Sequence, residues 1–503
     1  MSITGFVRPF LKSYVRARQR WESYPEEVQR DQLRRILEAA SKTEFGRLRG
    51  VGGGMSYEQF ASRVPVTPYD EIRPLVMRMI SGERDILWPG RTLRYAQSSG
   101  TSDGKSKYIP ITDESLRRCH YRGATHAVAQ YLWLHPESRL FDGKAFILGG
   151  SYANELTIAD PRVRVGDLSA TLIDRINPLA NLVRVPSKKI ALMEHWDHKL
   201  PELVNAAIGE NVTNISGVPS WFLTVIRKIL AKTGVSNLHE IWPGLEVFFH
   251  GGIAFGPYRQ QYRELTDPSK MHFMETYNAS EGFFAVQTDP DDAAMELLLD
   301  TGVFYEFQRQ GVSDDRVVPS WEVEKGGVYA LVLTACNGLY RYPIGDTVRV
   351  VSTDPLKIII AGRTKCFINA FGEEVMVHNT DAALSRACRD EGCRVADYTA
   401  APVYAAEGHR GRHQWLIEFV TPPADIEEFA RRLDTYLQEE NSDYQAKREG
   451  GIFLDPLTIT PVAPGLFTRW LAMTGKVGGQ RKVPRLSNDR RIVDGILSLI
   501  ENQ

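Results

Sequence analysis

The sequence predicts an α/β protein with a large N-terminal α/β domain and a smaller α+β domain behind it. Three observations carry that reading. The chain has 503 residues, more than a single hydrophobic core usually serves, so two or three domains are expected. From about residue 93 to 360, apolar strand-like runs alternate with helical patterns, as in a sheet covered by helices. Near residue 362 the pattern changes, and 363–503 reads as a compact α+β unit. The expected division is therefore 1–362 and 363–503.

Composition sets the frame. Hydrophobic residues make up 43% and charged residues 24% of the chain, ordinary for a globular protein. A net charge of −1 gives no electrostatic footprint for nucleic acid. No apolar run approaches the roughly 18–20 residues that span a bilayer, so no membrane partner is expected, and a monomer or weak oligomer is. The five cysteines, Cys119, Cys336, Cys366, Cys388 and Cys393, are odd in number and lack zinc-type spacing, which suits reduced thiols in the cytoplasm. His195 and His198 are two potential metal ligands without a clustered third.

At the N-terminus, "MSITGFVRPFLKSYVRARQRW" has basic residues but no continuous apolar segment, unlike a secretory signal. Phe10, Tyr14 and Trp21 stand at near-helical spacing, which predicts an amphipathic helix packed on the body. Residues 1–90 read mainly as helix. In "TPYDEIRPLVMRMISGE" (67–83), Thr67-Pro68 supply cap and first turn, with Ile72, Leu75, Met79 and Ile80 on one face. Further on, "KAFILGG", "NVTNISGV", "LEVFFHGGIAF" and "GGVYALVLTA" read as strands, and "SWFLTVIRKILAKTG" as a helix. In the small domain, "HNTDAALSRACRDEGC" and "DIEEFARRLDTYLQEE" are helices around the strand "HQWLIEFV".

Five clusters carry candidate chemistry. The first is "YAQSSGTSDGKSKYIPIT", residues 95–112, a Ser/Thr/Gly loop between two strand-like runs, with Lys105 and Lys107 at its exit. It is not a P-loop, because Gly100 and Gly104 stand one residue too close and a strand follows where a helix should open. A surface linker is the bland alternative. The second is "HGGIAFGPY", where Gly251-Gly252 lets a backbone approach a flat ligand closely. The third is "METYNASEGFFA": Tyr277 offers a stacking face, Ser280 a hydroxyl, and Glu281 a carboxylate suited to Mg²⁺ beside a phosphate.

The fourth is "GLYRYPIGDTVRV". Asp346 there is either a ribose-binding carboxylate or a turn residue. The fifth, "GGQRKVPRL", presents Lys482 on a Gly-rich loop, either a solvated turn or a mobile catalytic lysine.

As an ordered set, these motifs resemble the adenylate-forming superfamily of acyl-CoA synthetases, luciferases and adenylation domains. Within it, "SSGTSDGKSK", "YNASEG", "LYRYPIGDTVRV" and "GGQRKVPRL" resemble the GH3 family of acyl acid–amido synthetases, from about residue 20 to the C-terminus. Pro343-Ile344 replaces Arg-Val of the plant members, and "AGRTKCFINAFGEE" looks like the hinge of the broader superfamily, together suggesting a bacterial-type member.

The resemblance implies ATP and Mg²⁺ as cofactors and two half-reactions: a carboxylic acid is activated as acyl-adenylate, and an amine, typically an amino acid, then takes the acyl group. It implies that Ser98, Ser99, Gly100, Thr101, Ser102, Gly104 and Lys107 cradle the phosphates, with Mg²⁺ on Glu281. Tyr277, Asn278, Ser280 and the Gly251-Gly252 backbone would surround the adenine side, with Asp346 on the ribose and Arg363 beside the nucleotide at the hinge. Lys482 and Glu281 would be catalytic, Lys482 being carried in by a mobile small domain that rotates about Thr364-Lys365. An acyl-CoA ligase shares the first half-reaction, and an inactive nucleotide-binding homologue is the non-enzymatic alternative. The acyl pocket is expected near Tyr121, His126, Trp133 and Trp221, where core packing competes as an explanation. Arg117, Arg118 and Arg122 either pair with an acid or face solvent.

Overall fold

The computed structural model describes residues 2–98, 107–154, 156–252, 255–310, 316–363, 367–368, 370–371, 373, 375–404, 411–448, 454–474, 482–487 and 489–501. A 12-stranded sheet organises the large domain. From one edge, Val317–Pro319, Val303–Arg309, Val328–Ala335, Leu339–Thr353, Leu356–Arg363, Met295–Leu297, Gly282–Gln287 and His272–Ala279 pair antiparallel in that order. Beyond them Val247–Gly251, Val212–Gly217, Lys144–Ile147 and Arg184–Val185 continue in parallel.

The expected strand–helix alternation therefore holds only for the parallel half. Parallel neighbours need a crossover, and the helices Trp196–Ile208, Pro219–Thr233 and Gly256–Leu265 lie between those strands in sequence. Between Gly282 and Arg363 the strands follow one another directly, with a single 3₁₀ turn at Ser320–Glu322 among the described residues. Antiparallel neighbours need only turns, such as that at Gly338, whose φ is +92°.

Helices cover the sheet where their apolar stripes fall. Pro25–Ala40 buries Val28, Leu33, Ile36, Leu37 and Ala40 in the main core, each large aliphatic side chain contributing about 1.5–3 kcal/mol. Its buried Gln29 is fully used: the amide donates to the carbonyls of Leu299 and Val303 at 2.8 and 2.9 Å and accepts from Tyr305 N at 2.9 Å. The helix expected over 67–83 spans Tyr69–Ile80 and buries Ile72, Met79 and Ile80. Pro68 is its N-cap, because Thr67 Oγ1 turns back to donate to Pro65 O.

The N-terminal segment packs less completely than its spacing predicts. Trp21 is buried and donates Nε1–H to Glu296 at 2.9 Å, and Tyr14 meets the His126 ring edge-on at 4.8 Å. Phe10 is exposed, because it sits on the 3₁₀ turn Arg8–Leu11 rather than on the packed helix Lys12–Ser23.

In the small domain, helices Val377–Asp390 and Ile426–Glu440 accompany the strands Arg394–Val403, Arg412–Thr421 and Thr458–Val462. Tyr398, Trp415, Ile417, Phe429 and Leu433 form part of its core. Among the described residues, no buried apolar cluster mixes residues before 361 with residues after 367. The domains meet through polar contacts instead. Tyr258 donates to Ala396 O at 3.1 Å, and Arg394 pairs with Glu264 at 2.6 Å. No helix among the described residues is long and apolar enough to cross a membrane.

Candidate active site

The first candidate loop closes a hairpin. Strands Arg94–Ser98 and Lys107–Pro110 pair antiparallel with Ser98 opposite Lys107, which brings the ends of the 99–106 segment together. Ser99, Gly100, Thr101, Ser102 and Gly104 lie outside the described residues, as do the side chains of Ser98 and Arg363. Lys107 opens a strand rather than a helix, consistent with the exclusion of a P-loop.

Lys107 Nζ donates to Tyr342 Oη at 3.1 Å and sits between the rings of Tyr69 and Tyr342, 5.8 and 5.6 Å from their centres. Burial and the Glu281 carboxylate push the Tyr342 pKa well up, so its hydroxyl stays neutral. Ser280-Glu281 form the two-residue link between His272–Ala279 and Gly282–Gln287, with Ala279 opposite Gly282. Although it stands at a hairpin tip, Glu281 is buried, and its carbonyl accepts from Asn337 Nδ2 at 3.2 Å.

A second connection runs from Tyr277 to Asp346, whose Oδ2 accepts the phenolic hydrogen at 2.7 Å. Both residues are buried, and the Tyr277 ring meets Phe284 edge-on at 5.0 Å. Asp346 lies opposite Arg363 in the strand pair Leu339–Thr353 and Leu356–Arg363. Asn278 is exposed and Ser280 half-buried at the end of their strand.

The two glycines differ. A Cβ on Gly251 would lie 2.3 Å from Thr276 O, so this glycine is required by the neighbouring strand. Gly252 has φ +81° and is exposed, and its carbonyl accepts a hydrogen bond from Lys482 Nζ. An ideal Cβ on Gly252 would stand 3.4 Å from that ammonium. The small-domain lysine thus reaches the strand end beside the one bearing Tyr277.

The geometry joins Lys107 to Tyr342, Tyr277 to Asp346, and Gly252 to Lys482 across the domains. Charge repulsion links the first two, since both Glu281 and Asp346 raise the Tyr342 pKa. Tyr342 and Tyr69 were not among the residues picked out from the sequence. For Tyr342 a signal existed: it precedes Asp346 by four on a strand, and even spacing places both on one face. Tyr69 is brought in from a separate helix, and no local signal announces it.

Arg341, between the motif tyrosines, belongs to the core. Its Nε pairs with the buried Glu306 at 3.0 Å and its Nη1 donates to Ala61 O and Val64 O. The region expected to hold the acyl pocket is equally self-occupied. Arg122 pairs with Asp300, His126 Nε2 lies 3.3 Å from Asp300 Oδ1, Arg118 pairs with Glu114, and Tyr121 donates to Leu172 O at 2.9 Å. Trp133 is exposed, while Trp221 packs on the second core.

The GH3 family N-terminal domain model matches residues 17–271, the central domain model 296–363 and the C-terminal domain model 378–491. The indole-3-acetic acid-amido synthetase GH3.3 of Arabidopsis thaliana is 23% identical, the alignment covering 91% of this chain and 89% of that protein. The jasmonoyl–L-amino acid synthetase GH3.5 of Oryza sativa subsp. japonica is 22% identical over 92% of each. Among solved structures, a GH3.15 acyl acid amido synthetase superposes with a TM-score of 0.76 at 19% identity, covering 94% of this chain and 93% of that one. A 2-hydroxyisobutyryl-CoA ligase in its postadenylation state superposes with a TM-score of 0.59 at 14% identity, over 96% and 93%. The structural likenesses show a shared fold, and the three matched domains, in order along the sequence, make the chain a member of the GH3 family.

Proposed function

We propose that this protein is an ATP-dependent acyl acid–amido synthetase: it activates a carboxylic acid as acyl-adenylate and transfers the acyl group to an amine, an amino acid by preference. The observation that carries the reading is the meeting of Lys482 with Gly252, a lysine from the small domain set at the mouth of the large-domain sheet. A cation there neutralises charge that builds on the α-phosphate as pyrophosphate leaves, which lowers the barrier more than it strengthens ATP binding. Asp346, held by Tyr277, accepts hydrogen bonds from the ribose. Lys107, steered by Tyr342, faces the phosphates together with the 98–104 loop.

Mg²⁺ fits the residues present. Among the described residues no group of three or more His, Cys, Asp or Glu could hold a metal, but Mg²⁺ is commonly bound by one or two carboxylates plus substrate phosphates. Glu281 is that carboxylate, and the ion would supply charge neutralisation on the phosphates.

We assign the large, ATP-binding domain to 1–362 and the mobile domain to 363–503, the hinge at Thr364-Lys365 lying outside the described residues. Polar rather than apolar contact between the domains suits a surface that opens and closes. Rotation would withdraw Lys482 after adenylation and admit the amine.

The test is product identity. With ATP, Mg²⁺ and a panel of carboxylic acids, pyrophosphate release should depend on the acid, and an amide should accumulate when amino acids are added. A thioester formed from CoA faster than any amide would assign the chain to acyl-CoA ligation. Absence of acid-dependent pyrophosphate release across the panel would make it a binding protein.

A further inference from the structure

The helix Val377–Asp390 ends in a turn that carries two cysteines. Gly392 takes φ +59°, the left-handed conformation that favours glycine. Around it, Gly392 N donates to Arg389 O at 3.4 Å and Cys393 N to Cys388 O at 3.0 Å. These two bonds, nested one inside the other, define a Schellman cap, in which the third-last helical residue and the residue after the glycine bring their side chains together. Here those two positions are Cys388 and Cys393. Both thiols lie on one core cluster of the small domain, Cys393 inside it and Cys388 packed against it.

Accessibility separates this pair from the other described cysteines. Cys393 is buried, but Cys388 is only half-buried, so one sulfur of the pair is reachable from solvent. Cys119 and Cys336 are both buried in the main core, and burial pushes the Cys119 pKa up to about 12. At Cys393 the balance reverses: the Cys388 thiol beside it lowers the Cys393 pKa although burial raises it. The thiolate is the form that attacks a disulfide, so the main-core thiols are inert, whereas the small-domain pair combines a reachable sulfur with one that ionises readily. The bond from Cys393 N to Cys388 O also holds the two Cα atoms near enough for a disulfide, which needs a separation of roughly 4.4–6.8 Å.

We propose that Cys388 and Cys393 are a redox site, which closes to an intramolecular disulfide with a small-molecule disulfide such as oxidised glutathione as the oxidant. The exchange runs in two steps. The Cys388 thiolate, on the reachable side, attacks one sulfur of oxidised glutathione, and one glutathione thiolate leaves with the electron pair of the broken S–S bond. The Cys393 thiolate then attacks the Cys388 sulfur, and the second glutathione thiolate leaves. The two protons given up by the cysteines pass to the two glutathione thiolates. The cysteine pair has then lost two electrons and glutathione has gained them, and an excess of reduced glutathione reverses both steps. The new bond ties the end of the helix to the start of the strand Arg394–Val403, whose first residue pairs with Glu264 of the large domain.

The experiment uses the full chain, reduced and then equilibrated without oxygen in glutathione buffers of graded ratio, with a parallel sample oxidised in urea. Remaining thiols are blocked with N-ethylmaleimide in urea, and the protein is digested with trypsin for mass spectrometry. Arg389 stands between the two cysteines, and Arg386 and Arg394 flank them. The disulfide therefore appears as two short peptides, 387–389 and 390–394, held together. That species, free of maleimide at both cysteines, should replace the two labelled peptides as the buffer becomes more oxidising, and should be lost again with dithiothreitol. Cys393→Ser should instead trap glutathione on Cys388, because the second step has lost its nucleophile. If Cys393→Ser fails to fold, the linked peptides of the parent decide alone. Both cysteines labelled at the most oxidising ratio would make the pair an apolar contact of the cap and overturn the proposal. So would a stable glutathione adduct on Cys388 of the parent, or a disulfide that forms only in urea, since in either case the fold does not bring the two sulfurs together.

Discussion

Tyr277 Oη lies 2.7 Å from Asp346 Oδ2, and both side chains are buried between strands distant in sequence. The tyrosine fixes the carboxylate's rotamer and satisfies one of its lone pairs. Charge-assisted hydrogen bonds of this kind are worth about 1.5–3 kcal/mol. Asp346→Ala is expected to raise the KM for ATP at least roughly tenfold, and Tyr277→Phe roughly three- to tenfold. ATP titration of acid-dependent pyrophosphate release reads both. An Asp346→Ala protein that is folded and binds ATP as before would remove the ribose role.

Tyr342 accepts a hydrogen bond from Lys107, and the Glu281 carboxylate helps to hold its pKa up. Removing its hydroxyl in Tyr342→Phe deletes the acceptor that holds the lysine. Adenylation kcat/KM should fall about tenfold, whereas Glu281→Ala, which deletes the proposed Mg²⁺ ligand, should cost a hundredfold or more by order of magnitude. The dependence on Mg²⁺ concentration separates the two: Glu281→Ala should shift it, and Tyr342→Phe should leave it nearly unchanged. A Tyr342→Phe enzyme with the parental rate would mean that Lys107 is positioned by other contacts.

The Arg341–Glu306 pair predicts stability rather than activity. Both groups are nearly solvent-free, Tyr57 also donates to Glu306 at 3.0 Å, and burial pushes the Glu306 pKa up against the pull of Arg341. Arg341→Met strands a buried carboxylate and should cost about 3–5 kcal/mol in urea denaturation. Arg341→Met combined with Glu306→Leu should recover most of that loss, because the desolvated charge is gone. A loss below about 1 kcal/mol in the single variant would show that water reaches Glu306.

Glu275 predicts a pH dependence. It lies opposite His250 in the register of adjacent parallel strands, and burial raises its carboxyl pKa to about 7 although Arg259 pulls it down. Between the unfolded value near 4.5 and about 7, the folded protein holds a proton that the unfolded chain has released. Stability from this group therefore falls as pH rises through that window and is level above it. His250 works in the opposite sense: burial lowers its pKa to about 3, so its contribution falls as pH drops below the usual histidine range. Comparing Glu275→Gln with the parent at each pH isolates the carboxyl. The variant should gain on the parent between pH 5 and 8 by an amount on the order of 3 kcal/mol. Parallel stability profiles would rule out a raised Glu275.

Much of this protein was determined by local sequence. Period-2 and period-3.6 patterns are near-neighbour properties, so the strands at 144–147, 212–217, 247–251 and 412–421 and the helices at 219–233, 377–390 and 426–440 fall where the sequence predicts them. The motif order, being linear, marked Lys107, Glu281, Asp346 and Lys482 as candidates for one site. Tertiary structure decided the rest. Whether a strand pairs parallel or antiparallel depends on where its partner lies, so the antiparallel half of the sheet, from Gly282 to Arg363, was not legible as such. Phe10 had the spacing of a packed residue but no surface to pack against. Two arginines with motif-like placement, Arg122 and Arg341, were claimed by Asp300 and Glu306 from remote strands and loops. Tyr69, Tyr342 and Tyr258 act on partners 38, 235 and 138 positions away, Tyr69 through its ring and the other two through their hydroxyls, and a contact at such separations is fixed only when the cores on either side have formed.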